Sequence, residues 1–440
     1  MPAPRGQRSE DAAGGWRGLL ARLAVDVSPL RASRDFRLLS IGSFLTGLGT
    51  QAALVALPYQ VYVQTRSPAL TGLLGAVELG PLVAMSLYGG ALADRMDRRR
   101  LLLVDQLGLV LVSGALAAGA FAGHPPLLAL YVLAGLMAGF GAVANVAETA
   151  MVPNLVGPER LRPALALSFG MATLTVVIGP ALGGVTIATA GLGATYLLDT
   201  VSCLGLVAAL ALIAAQPPAS VHEHPHVLRS IAEGLRFVRS ERALMGSFGI
   251  DLLAMTFGMP RALFPVLSLT VYHSGAIGTG ALFAAASTGA TVAAFASGWL
   301  SHSRRLGRIV IGAVLCWGAA VALAGLVGAL WQAMALLALA GAADSVSAVC
   351  RSTINQTVTP DVMRGRMSAV FSMVVTGGPR LGDIESGAVA SLTTPRFSVL
   401  SGGLACVVSA LALALTFPAL ARFDSERLRG ESPVEPVAGA

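Results

Sequence analysis

Leu70–Leu92 and Leu101–Ala122 are two apolar stretches joined by one charged turn, Gly90-Ala91-Leu92-Ala93-Asp94-Arg95-Met96-Asp97-Arg98-Arg99-Arg100. Each stretch has about 20 residues, enough to cross a hydrocarbon core as a helix. A short arginine-rich connection between two such spans belongs on the cytoplasmic face of a membrane.

The rest of the chain agrees with that reading. Hydrophobic residues fill 55% of 440 positions, only 12% are charged, and the mean hydropathy is +0.73. A soluble domain carries about a quarter charged residues, so a soluble enzyme is excluded. The class is an all-α polytopic membrane protein, because only internally hydrogen-bonded helices or closed barrels span a bilayer. The short alternating segments of a barrel are not visible. The chain has no lysine, so all 30 basic residues are arginine, and the net charge is +7. In a soluble protein that charge would suggest nucleic acid; here it serves topology, and no nucleic-acid partner is expected. Cys203, Cys316, Cys350 and Cys406 fall inside apolar spans without disulfide or zinc spacing, so they read as small core residues.

Apolar segments recur at Phe36–Val63, Leu70–Leu92, Leu101–Ala122, Leu127–Ala147, Ala164–Ala188 and Ala194–Ala215. After a polar stretch they resume at Ala243–Tyr272, Thr279–Ser301, Ile309–Leu330, Gln332–Cys350, Met367–Leu392 and Phe397–Leu420. The expected architecture is therefore twelve transmembrane helices in two six-helix halves. Residues 1–35 form a leader, 36–215 the first half, 216–242 a central loop, 243–420 the second half and 421–440 a tail. The leader lacks the compact apolar core and cleavage site of a signal peptide, although Leu19–Val25 suits a membrane surface. Arginines crowd the leader, the turn at Arg95–Arg100, the loop at Arg160 and Arg162, and the central loop. They continue at Arg304–Arg308 and at Arg364 and Arg366, while the other face offers little beyond Arg66 and Arg396. This bias puts both termini in the cytoplasm of a bacterial plasma membrane.

An internal repeat supports two pseudo-symmetric halves. Pro158-Glu159-Arg160-Leu161-Arg162 leads to Phe169 and Met171, as Pro360-Asp361-Val362-Met363-Arg364 leads to Phe371 and Met373. Downstream, Gly179-Pro180-Ala181-Leu182-Gly183-Gly184 matches Gly378-Pro379-Arg380-Leu381-Gly382-Asp383 with a small slip. Duplicated halves with a site between them are a transporter plan. In the central loop, His222-Glu223-His224-Pro225-His226 offers alternate histidines, and a solvated linker explains them better than a metal site. Ser230–Arg242 reads as an amphipathic helix and Asp424–Ala440 as a disordered tail.

The turn Gly90–Arg100 resembles the signature loop between helices two and three of the major facilitator superfamily, G-x-L-x-D-R-x-G-R-R. Asp97 stands where that family usually has glycine. The resemblance runs from Phe36 to Leu420 and implies a twelve-helix secondary transporter. It also implies a conformational latch. Gly90 would allow close packing, and Asp94, with Arg95 beside it in the latch, would cap and pair near the start of helix eleven in the outward-open state. Arg98, with Arg99 beside it, would bind an acidic residue on helix four, where this chain has Glu148. The plain alternative is that these arginines only anchor topology. Gly179-Pro180-x-x-Gly183-Gly184 resembles the end of the antiporter motif of facilitator-type exporters, although Ala166 and Thr175 replace its earlier glycines. Within the superfamily, the leader Arg31–Phe36, Asp97 and the segment from Gly378 to Gly387 look like the siderophore-exporter and drug-antiporter branch.

Ionisable residues inside spans are costly and mark pathways. Glu78, Asp251, Arg261, Asp344, Arg380, Asp383 and Glu385 are the candidates for a proton or substrate pathway. Asp105 and Asp199 lie nearer span ends and read as reaching interfacial water. On a helix, Asp383 at i+3 can neutralise Arg380, whereas Glu385 points away from it. Glu385 is therefore the preferred proton carrier and Glu78 the next. No nucleotide-binding loop, catalytic triad, metal site or cofactor motif is present. The expectation is a proton-coupled antiporter exporting small amphiphilic molecules such as siderophores, antibiotics or drugs, acting as a monomer. An importer on the same fold is the first alternative, and a membrane assembly or sensor protein the alternative of another class.

Overall fold

The computed structural model describes residues 26–216 and 227–423. The Leu19–Val25 stretch, the histidine cluster at 222–226 and the tail Asp424–Ala440 lie outside the described residues, and so does the side chain of Asp94. Helices α1 (Arg34–Thr65), α2 (Pro68–Arg95), α3 (Arg98–Phe121) and α4 (Leu127–Val156) follow the predicted spans. Their starts are chemically marked. The Ser33, Ser67 and Asp97 side chains accept hydrogen bonds from Phe36, Leu70 and Arg100 N–H groups, and Pro68 occupies the first turn of α2.

The fifth and sixth spans form one unbroken assignment, Leu161–Leu212, with a non-helical Gly191 (φ 85°) inside it. Its neighbours show that the chain reverses there. Gly47 and Ala52 of α1 approach Thr175 and Gly183, rising together, whereas Gly42 and Gly49 approach Leu206 and Asp199, running oppositely. Residues 161–190 (α5) and 192–212 (α6) are thus two antiparallel legs. Only a residue tolerating positive φ can turn so tightly, and glycine does so without strain.

In the second half, α7 (Arg242–Phe257) stops at Gly258. The chain resumes as a short 3₁₀ turn, Arg261–Leu263, and a helical stretch, Phe264–Thr270, so the seventh span is broken rather than continuous. Then follow α8 (Gly275–Ala296), α9 (Leu306–Leu326), α10 (Leu330–Val358), α11 (Arg364–Leu392) and α12 (Pro395–Thr416). Among the described residues ten segments are long and apolar enough to cross a membrane, the α5–α6 pair counting as one. The twelfth is α11, which has the length and carries Arg380, Asp383 and Glu385 in its second half. The amphipathic linker helix, Val227–Ser240, buries Ile231 and Val238 and holds α11 through a 3.0 Å Glu233–Arg366 ion pair.

Each half buries its own core. One cluster gathers residues of α1, α3, α4 and α6 around Leu109, Leu116 and Tyr196, and another gathers the second half around Trp317 and Val321. Cys203, Cys350 and Cys406 are buried as expected, but Cys316 is exposed on the outer face of α9. The halves meet along α2 with α11 and α5 with α8. At both seams backbone touches backbone. Gly72 lies against Asp383 and Gly387, and Gly184 lies against Ala276 and Gly280. Small residues permit such close approach between spanning helices. Both contacts lie at the end remote from the arginine-rich turns. At the arginine-rich end, by contrast, a methyl group at Gly90 would meet no described residue of another helix within 4 Å. The expected close packing at Gly90 is not made, because here the halves are apart.

Candidate functional site

Between the halves lies a cavity of about 300 Å³, walled by Leu54, Pro58, Leu74 and Phe283 and carrying Glu78, Arg261, Arg380 and Asp383. A second cavity of about 320 Å³ continues toward the arginine-rich end, past Ser86, Asn145 and Ser372. Glu78 and Arg380 line both. They form the neck between them.

The charges are assembled from both halves. Arg380 Nη2 of α11 lies 2.8 Å from Glu78 Oε2 of α2, while its Nη1 is 3.8 Å from Asp383 Oδ2. The i+3 pairing expected from the sequence exists, but the closer partner is Glu78 across the seam. Asp383 also accepts a 2.9 Å hydrogen bond from the Ala262 N–H. That bond caps the turn after the broken seventh span, as a carboxylate at a helix N-terminus does, and it fixes Arg261 in the cavity wall. Among the described residues the Arg261 guanidinium has no ion-pair partner within bonding distance. Asp383, Asp344 and the like-charged Arg380 act on it from further away.

A further ion cluster lies inside the second half. Arg351 of α10, 2% exposed, touches Asp251 of α7 directly and reaches Asp344 at 3.6 Å. Arg351 is absent from the sequence candidates because it follows the last residue of its predicted span. The helix in fact continues to Val358, which places Arg351 within it. Hydropathy alone ended the span where polar residues began. Glu385 is partly buried, does not pair with Arg380, as the helix geometry predicts, and has no other ion-pair partner among the described residues, but it does not line the cavity.

Two acids depart from expectation. Asp199 and Asp105 are buried, not at interfacial water. Asp199 is fully buried and accepts hydrogen bonds from Ser113 (2.5 Å) and Thr50 (2.9 Å), tying α6 to α3 and α1. Asp105 is 2% exposed, and neither carboxylate oxygen has a hydrogen-bond partner among the described residues.

At the signature turn, Arg98 donates to the Ala150 carbonyl at 3.1 Å rather than pairing with Glu148, two residues earlier on the same helix. Arg99 donates to the Leu210 and Ala211 carbonyls at the end of α6, a favourable place for a cation. Arg95 is exposed. Asp97, read in the sequence only as a departure from the family pattern, caps α3 and accepts from the Gln216 N–H at 2.9 Å. In the antiporter-like segment, Gly179 and Gly183 seat α5 on Gln51 and Ala52 of α1, Pro180 lines the cavity, and Gly184 closes the seam with α8.

Among the described residues, twelve spanning segments in two halves enclose a charged cavity closed at one end, which is the plan of a membrane carrier. Comparison with known proteins identifies which kind. Residues 24–437 match the family described as transmembrane secretion effector, and the chain belongs to that family of the major facilitator superfamily. It is 31% identical over 401 residues to the enterobactin exporter EntS of Citrobacter koseri, covering 91% of this chain and 95% of that one. The corresponding exporter of Shigella boydii serotype 4 is 32% identical over 403 residues, with the same coverage. Among solved structures, the nucleoside transporter NupG superposes with a TM-score of 0.69 at 14% identity, covering 88% of this chain and 99% of that one. A bacterial homologue of the iron transporter ferroportin in its inward-facing state gives 0.64 at 16%, covering 88% and 99%. These two show the fold. The protein is a multi-pass membrane transporter of small molecules.

Proposed function

We propose that this transporter is a proton-coupled exporter of small amphiphilic molecules in the bacterial inner membrane, with both termini and the arginine-rich turns in the cytoplasm. One observation carries the reading: the Glu78–Arg380 pair joins the two halves at the neck between their cavities. A cross-seam ion pair holds only while its acid is ionised. Protonation removes that attraction and favours a different arrangement of the halves. In the arrangement described, cargo enters from the arginine-rich, cytoplasmic end while Gly72 and Gly184 seal the other. Proton entry from outside then resets the carrier after cargo release. The proton carrier of the neck is Glu78 rather than Glu385, because only Glu78 pairs across the seam. The enterobactin exporters, similar along nearly the whole chain, support the outward direction and a siderophore-like cargo. Asp94 and Arg98 serve the opposite state, closing the cytoplasmic end when the outer seam opens.

The test presents a siderophore or dye panel to the outside of inverted membrane vesicles. Uptake into these vesicles should require an imposed proton gradient, collapse with a protonophore and continue without ATP at constant gradient. Uptake that ignores the gradient removes the coupling, and movement only in the opposite direction makes the protein an importer.

A further inference from the structure

Four acids and three arginines form one run of alternating charge through the second half and across the seam. In spatial order they are Asp251, Arg351, Asp344, Arg261, Asp383, Arg380 and Glu78. One carboxylate exceeds the arginines. In a poorly polarisable interior an uncompensated charge is expensive, so the surplus acid binds a cation or takes a proton. Geometry identifies which acid that is. Asp251 touches Arg351 directly, Glu78 has Arg380 at 2.8 Å, and Asp383 has the Ala262 N–H and Arg380. Among the described residues Asp344 has only the 3.6 Å approach of an arginine already engaged with Asp251, and its Oδ1, like that of Asp251, makes no hydrogen bond. Its side chain is 18% exposed, more than any other acid of the run. It opens onto a small void beside Trp317, which shares Arg261, Phe283 and Ser287 with the central cavity.

We propose that Asp344 is a proton-binding site of this carrier, exchanging its proton with the central cavity, and that Arg261 transmits its occupancy to the seam. The proposal rests on the proton-coupled reading above and adds the residue and the relay. The groups facing Asp344 are Arg351 on its own helix, Asp251 on α7, Arg261 on the following turn and the Cys406 thiol on α12. From α8 and α9 come Ser287 and Trp317, neither charged. A proton from cavity water adds to the Asp344 carboxylate and leaves Arg261 with Asp383 as its one ionised carboxylate neighbour, beside the like-charged Arg380. Departure of the proton restores a second carboxylate to Arg261. Because Asp383 also holds Arg380, and Arg380 holds Glu78, the charge on Asp344 bears on the pair that joins the halves.

Trp317 lies in the same void, so its fluorescence reports on Asp344 without any transport assay. Purified full-length protein in lipid nanodiscs is titrated with acid and base through the neutral range. The expected result is a single-proton fluorescence transition that W317F and D344N both abolish and that D344E and E78Q retain. A second readout covers a D344N protein that does not fold. In D344E, which keeps the charge, the protonated-carboxyl band of the acid-minus-base infrared difference spectrum should move. A featureless wild-type titration, a transition that survives D344N, or an unmoved band in D344E overturns the assignment. If the titration behaves as expected while vesicle export ignores the proton gradient, Asp344 stands as a proton site and the coupling reading alone fails.

Discussion

Glu78 of the first half and Arg380 of the second meet at 2.8 Å, the shortest ion pair joining the two halves among the described residues. Because α2 and α11 must separate somewhere along their length for the outer seam to open, this contact is placed to resist or permit that motion. Glu78→Gln should abolish gradient-driven export while leaving downhill exchange of cargo, since the amide keeps the volume and a hydrogen bond but no charge to titrate. Arg380→Ala should impair both, because it strands two carboxylates at the neck. Vesicle export and counterflow, measured at matched protein abundance, separate the outcomes. Full gradient-driven export by Glu78→Gln would remove the neck from the coupling.

Glu385→Gln supplies the contrast. Glu385 lacks an ion-pair partner among the described residues and does not line the cavity, so its replacement should leave gradient-driven export within about twofold of wild type. A loss as deep as that of Glu78→Gln would return the proton to α11 alone.

The difference between these two glutamates shows what the sequence could and could not display. Spans, halves and the isolation of Glu385 from Arg380 follow from hydropathy and helical period, which are local. The partner of Arg380 is not local: it comes from α2, some three hundred positions away, and one chain without homologues carries no sign of which helices face each other. Arg351 escaped for another reason. A hydropathy span ends where polar residues begin, but α10 runs on past that boundary, and the arginine is buried by a carboxylate from α7. Asp105 and Asp199 likewise read as interfacial by position, yet neighbouring helices enclose them. The Gly191 reversal was legible only as a gap between two apolar runs. Its positive φ is what makes that gap a turn.

The glycine seams make a steric prediction. A methyl group at Gly184 would stand 2.7 Å from the Ala276 carbonyl, and one at Gly75 would stand 2.5 Å from the Arg380 carbonyl. Backbone cannot yield as a side chain can, and overpacking of this kind costs about 1–3 kcal/mol. Since ~1.4 kcal/mol is a factor of ten in population, Gly184→Ala should cut the sealed state about tenfold. Spin-label distances between the remote ends of α5 and α8 should lengthen. Unchanged distances would mean that the seam already has slack.

The signature turn separates into a stability role and a switching role. Asp97 caps α3 and receives the Gln216 N–H. Asp97→Ala should therefore lower stability by about 1 kcal/mol, as loss of a cap does, with a parallel fall in the detergent unfolding temperature. Asp94→Ala should leave stability near wild type and sharply reduce transport, because its proposed contact belongs to the other state. Normal transport by Asp94→Ala at equal abundance would reduce the turn to a topology anchor. Glu148→Gln should show a milder loss, since Arg98 bonds the Ala150 carbonyl here.

Asp251 and Arg351 allow the electrostatic argument to be tested apart from transport. Both are 2% exposed and in direct contact, with Asp344 as the arginine's second acid. Removing one partner leaves the other charge buried and unpaired, which costs about 3–5 kcal/mol. Arg351→Met should be the harsher single change, because it abandons two carboxylates; Asp251→Leu leaves Arg351 with Asp344 as a remaining partner. The double variant Asp251→Leu with Arg351→Met removes both charges and replaces them with apolar volume, so the loss from stranding Asp251 should return while Asp344 still lacks its arginine. Thermal unfolding of the four proteins in one detergent closes the cycle. A coupling energy near zero would show that the pair contributes little to the fold, and the run of alternating charge would then lose its inner anchor.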